Sequence, residues 1–165
     1  PAKRPNATMA ELSLKERITE DMKAAMRAKE PEKLAVIRFL LAAIKQVEID
    51  TKTVEGEARA ALDDEQTMAV IIKLIKQRRD SKDEFEKAGR EDLAKQEGYE
   101  LSVLTQYLPP QLDKSAVENL VRDAIKESGA AGMQDMGKVM AVLKPKLQGR
   151  ADMGAVSAQI KTLLS

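Results

Sequence analysis

"YLPPQL", Tyr107–Leu112, is the stretch on which the reading of this chain turns. Two adjacent prolines remove two backbone N–H donors and push the residue before each of them out of the helical region. A helix arriving from the N-terminal side must end here, and the pair stiffens the chain into a short extended spacer. Upstream lie long helical patterns and downstream shorter ones. The expected architecture is all-α: an N-terminal four-helix lobe over residues 12–108, then a small three-helix C-terminal tail lobe over 109–165.

Upstream of the prolines, apolar residues recur at helical spacing among strong helix formers. Ser13 and Glu16 have the spacing of a capping box, and Leu14, Ile18, Met22 and Met26 follow four apart on one face. Pro31 suits the first turn of a second helix, with a stripe of Leu34, Ile37, Leu41, Ile44 and Val47. Periodicity fails from Asp50 to Leu62, which reads as a polar connection. Asp63 caps a third helix carrying Met68, Ile71, Ile72, Leu74, Ile75, Arg78, Lys82 and Phe85, and Gly89 stops it. The fourth carries Leu93, Leu101, Leu104 and Leu108, with Tyr107 near its end.

Downstream, three helices are expected: Asp113 to Ser128, closed by Gly129; Met133 to Lys144; and Asp152 to Leu164. The opening "PAKRPNATMA" has no apolar stretch, and residues 1–11 read as a disordered leader or tag.

Composition removes several chemistries. The 165 residues include no Cys and no His. That excludes disulfides, thiolate ligands and the commonest general base, so neither a metal site nor a cofactor is expected. Two Phe, two Tyr and no Trp make base stacking a poor mode of nucleic-acid binding. No apolar run approaches the ~18 residues needed for a membrane span, so no membrane partner is expected and the localisation reads as cytoplasmic.

The formal net charge of +1 restricts any electrostatic footprint to a local patch. "MGKVMAVLKPKLQGRAD", Met136–Asp152, holds one: Lys138, Lys144, Lys146 and Arg150 with no acid before Asp152. In one reading these cations meet phosphates, with backbone N–H groups near Gly149 contributing. In the other they complement a helix C-terminus, each worth about 0.3–1 kcal/mol, while Gly149 and Asp152 serve as turn and N-cap. Lys138 and Lys144 stand about 120° apart around an ideal helix and form no single stripe. A second basic run, "KLIKQRRDSK" (Lys73–Lys82), offers Lys76 and Arg79 as a secondary surface. Its Arg78 falls on the apolar face, placed to snorkel from an inter-helix seam or to pair with a carboxylate such as Glu97 or Glu100.

With "YLPPQL", "MGKVMAVLKPKLQGRAD", "RFLLAAIKQVEID" and "IIKLIKQRRDSKDEFEKAGREDL", the chain resembles the YqeY family from about Leu12 to Leu164. These are stand-alone relatives of the C-terminal region of the B subunit of glutamyl-/aspartyl-tRNA amidotransferase. The resemblance implies a helical first lobe and a tail lobe of the kind that touches the outer body of tRNA.

The expectation is therefore a non-catalytic accessory module binding tRNA or another structured RNA through Lys138, Lys144, Lys146, Gly149 and Arg150. The alternative is a protein-interaction module docking on a translation-related enzyme. A third reading, carbon–nitrogen ligase activity with glutamine as amide donor, attaches to the family by inheritance. The scattered Ser81, Ser102, Ser115, Ser128 and Ser157 do not resemble amidase machinery, and no catalytic residue is assigned.

Overall fold

The computed structural model describes residues 11–55 and 61–165 and is all-helical, with no strand among the described residues. Of the expected leader only Glu11 falls within them. Seven α-helices follow one another: α1 (Leu14–Arg27), α2 (Pro31–Glu55), α3 (Asp64–Lys87), α4 (Glu91–Leu104), α5 (Lys114–Ser128), α6 (Met136–Leu147) and α7 (Met153–Leu164). Backbone contacts divide the chain into two compact units, Pro1–Tyr107 and Leu108–Ser165.

In the first unit α3 packs along α4 and α1 along α2, with α2 also meeting α3 and α4. Local chemistry fixes the helix ends. Both α1 and α3 begin with full capping boxes, Ser13 with Glu16 and Asp63 with Gln66, in which side chain and backbone satisfy each other's free N–H groups. Gly89 ends α3 with φ 73°, and the Arg90 and Gly89 amides donate back to Phe85 and Glu86 carbonyls. Lys29 occupies the same left-handed position after α1, at φ 54°.

The core is aliphatic: Ile18, Ile37, Leu40, Ile44 and Ile71 are fully buried. Each such side chain contributes about 1.5–3 kcal/mol relative to exposure. On α2 the inward stripe is Val36, Ile37, Leu40 and Ile44, rotated from the expected one. Leu34 and Leu41 sit at its margins, and Val47 is exposed. At the next inward position the stripe ends in a carboxylate, Glu48. It accepts from Lys15 Nζ at 2.9 and 3.0 Å and from the Leu62 amide at 3.0 Å.

The expected connection from Asp50 to Leu62 is shorter than the sequence implied. α2 runs on to Glu55, and the residues beyond, 56–60, lie outside the described ones. Polar residues do not break a helix whose hydrogen-bond ladder is intact. Here Gln46 Nε2 donates to Asp50 Oδ1, and Thr51 Oγ1 donates back to the Val47 carbonyl.

The second unit is a three-helix cluster in which α5, α6 and α7 each pack on the other two. Its core is Val117, Val121, Ala124, Val139, Leu143, Leu147, Val156 and Ile160. Asp113 caps α5, and Gly129 closes it at φ 69°. Asp152 caps α7.

Helix α6 departs from expectation at both ends. Met133–Asp135 is a separate 3-10 turn, and the helix does not stop at Lys144 but passes through Pro145 to Leu147. Pro145 lacks only the donor to the Ala141 carbonyl, and Ala141 is exposed, so water can satisfy that group. The Gln148 amide donates to the Lys144 carbonyl at 3.0 Å and completes the final turn.

Candidate functional site

Continuation of α6 through Pro145 decides the geometry of the C-terminal cations. At 100° per residue, Lys144 and Lys146 stand about 160° apart around the axis. The buried stripe Val139, Leu143 and Leu147 faces inward, and Lys138, Lys144 and Lys146 fan across the rest. Lys138 Nζ lies 3.6 Å from Asp135 Oδ1, and Lys146 Nζ lies 3.5 Å from Glu127 Oε2. The Ala131 amide, with Lys138 adding to it, holds the Asp135 carboxyl below its usual range. The lysine of each pair is exposed, so solvent screens both contacts. Lys144 has no ion pair among the described residues.

Gly149 is buried, at φ 76°, and its carbonyl accepts from Gln111 Nε2 at 2.6 Å. The Leu112 amide donates to the Arg150 carbonyl at 3.0 Å, and Arg150 Nε approaches the Pro110 carbonyl at 3.4 Å. The loop after α6 is thus stitched to the proline segment through its carbonyls, those of Gly149 and Arg150. Gly149 is a packed turn residue, and Lys138 and Lys146 each face a different carboxylate, Asp135 and Glu127. On α3, Lys76 and Arg79 are exposed one turn apart, with no ion pair among the described residues.

A better-formed concavity lies in the first unit. α2, α3 and α4 enclose a groove of about 430 Å³ lined by Pro31, Ala35, Val36, Phe39 and Leu104, with Glu32, Arg78, Gln96 and Glu100 as its polar groups. Phe39 is 49% exposed, unusual for one of only four aromatic side chains in the protein. Its ring lies against Arg78, whose guanidinium carbon is 5.0 Å from the ring centre. The edge of that guanidinium meets two carboxylates, with Nη1 at 3.5 Å from Glu97 Oε2 and Nε at 3.4 Å from Glu100 Oε2. Neither oxygen has a hydrogen bond among the described residues, although both are shielded from solvent. At 3.4–3.5 Å these are charge contacts rather than well-aligned hydrogen bonds. Burial, together with the adjacent Glu100 carboxylate, raises the Glu97 carboxyl above its usual range, against the pull of Arg78.

The pairing of Arg78 with Glu97 and Glu100 follows the sequence reading. Phe39 and the groove were missed. Phe39 lies just off the buried face of α2, where periodicity alone does not separate a core margin from an open surface. Also missed was Tyr107, buried in a 3-10 turn after α4, whose hydroxyl donates to Asp21 Oδ2 at 2.6 Å. No group of three or more acidic side chains among the described residues is placed to hold a metal ion. No described helix is long and apolar enough to cross a membrane.

Fold and groove together define a class: a helical protein in two units with an amphipathic, net-acidic groove in the first. The chain belongs to the YqeY family; the family profile, described as Yqey-like protein, matches residues 15–164. Its curated relatives include three fungal proteins, each named altered inheritance of mitochondria protein 41, mitochondrial. The one from Vanderwaltozyma polyspora is 34% identical, covering 72% of this chain and 64% of the relative. The Eremothecium gossypii protein is 35% identical, with 73% and 63% covered. That of Pyrenophora tritici-repentis is 33% identical, with 90% and 79% covered. The chain therefore spans less than two thirds of the first two relatives. Their names point to mitochondria and overturn the cytoplasmic localisation expected from the sequence.

Proposed function

We propose that this protein is a non-catalytic accessory module of mitochondria that docks on a translation-related enzyme through its first helical unit. The observation that carries the reading is the half-exposed Phe39 in the lining of an open groove of the first unit. An apolar ring stacked on an arginine and left open to solvent is a typical anchor point for a partner. Family membership and the mitochondrial names of the relatives supply the setting. The fanning of the α6 lysines around the helix favours a protein partner over RNA.

The test is affinity capture from mitochondrial extract after ribonuclease treatment, comparing wild type with Phe39→Asp. Recovery of an amidotransferase subunit or an aminoacyl-tRNA synthetase by wild type, and its loss in the variant, is the expected result. Only nuclease-sensitive capture would refute docking.

The second reading, tRNA binding by the tail, is favoured by one observation: residues 136–165 hold five cations against the single acid Asp152. Four phosphate contacts would give a log–log salt slope of roughly −3 to −4. Equal binding of total tRNA by wild type and Lys144→Glu/Lys146→Glu/Arg150→Glu would exclude it.

A further inference from the structure

The groove of the first unit has a charge imbalance that specifies its occupant. Arg78 is the one cation lining it, whereas Glu32 and Glu100 line it and Glu97 lies against the same guanidinium. Two carboxylates thus meet the one guanidinium, and a third, Glu32, lines the same groove. Phe39 covers a face of the Arg78 guanidinium, and two of the carboxylates take its edge.

We propose, resting on the docking reading above, that this groove receives an amphipathic helix of a partner protein bearing a Lys or Arg beside its apolar stripe. The apolar side chains lie on Phe39, Ala35 and Leu104, and the cation reaches Glu32 and Glu100. A space of about 430 Å³ accommodates a few side chains of one helix face, spaced three or four residues apart. A nucleic acid or an acidic peptide would place like charges against Glu32 and Glu100, so charge selects the partner as well as attracting it.

The experiment titrates the full ¹⁵N-labelled chain with a synthetic helical peptide of Ala and Leu carrying one Lys within its apolar stripe. The comparison peptide has Glu at that position. The Lys peptide is expected to move amide signals of residues 31–39 and 96–104 and to bind at least ~10-fold tighter than the Glu peptide. Glu32→Gln/Glu100→Gln leaves the Arg78–Glu97 contact in place and should erase that preference. Phe39→Ala should weaken both peptides. Equal affinity for the two peptides, or shifts elsewhere on the chain, would overturn the proposal. So would a concentration-dependent dimer lost on Phe39→Asp, which assigns the groove to a second copy. Enzyme capture that is lost in Phe39→Asp but unaltered by the double Gln variant would leave the docking reading standing and remove only the cationic partner.

Discussion

Replacing Leu143 by Ala tests whether the second unit is energetically separate from the first. Leu143 is fully buried among Val117, Val121, Ala124, Val139, Leu147, Val156 and Ile160. Truncation of such a leucine removes its transfer energy and leaves a cavity, at a cost of about 2–5 kcal/mol. A unit of roughly 60 residues has about 3–9 kcal/mol of stability in all. The substitution thus consumes a large part of what holds Leu108–Ser165 together. If the boundary proposed at 108/109 separates two domains, the loss stays on one side of it. Amide hydrogen exchange followed residue by residue is the assay. Protection in α5, α6 and α7 should fall by a factor of about 30 or more, since each 1.4 kcal/mol is tenfold in an equilibrium constant. Protection in α1–α4 should be unchanged. A uniform drop across all seven helices would show one cooperative structure and refute the division.

Two further outcomes follow from local features. Ser13→Ala and Asp63→Ala each remove a helix N-cap and should lower stability by about 1 kcal/mol, measured by urea unfolding. Glu97 has a carboxyl raised in the folded protein, so the native state binds its proton more tightly than the unfolded chain does. The associated stability is present at low pH and is lost as pH rises from the ordinary carboxylate range through the raised folded value. Glu97→Gln should therefore flatten the fall in melting temperature across that window, and an unchanged pH profile would contradict the assignment.

Much of the fold was legible because its determinants are local. Capping residues Ser13, Asp63, Asp113 and Asp152, and the stops at Gly89 and Gly129, act within a turn of where they stand. The pairing of Arg78 with Glu97 and Glu100 was one of two readable outcomes, since an arginine inside an apolar stripe either reaches water or meets an anion on the facing helix. What failed depended on longer-range balance. Whether a helix survives Pro145 turns on the exposure of Ala141, one turn earlier, and that in turn spreads Lys144 and Lys146 to opposite flanks. The burial of Glu48 requires Lys15 and Leu62 to arrive from other parts of the chain. Half-exposure of Phe39 depends on how closely α4 covers α2, which no spacing rule encodes.

The Glu48 carboxylate has a consequence for helix placement. By accepting from the Leu62 amide it ties the entrance to α3 directly to the body of α2, and by accepting from Lys15 it ties the first turn of α1 to the same point. One side chain thus anchors the starts of two helices against a third.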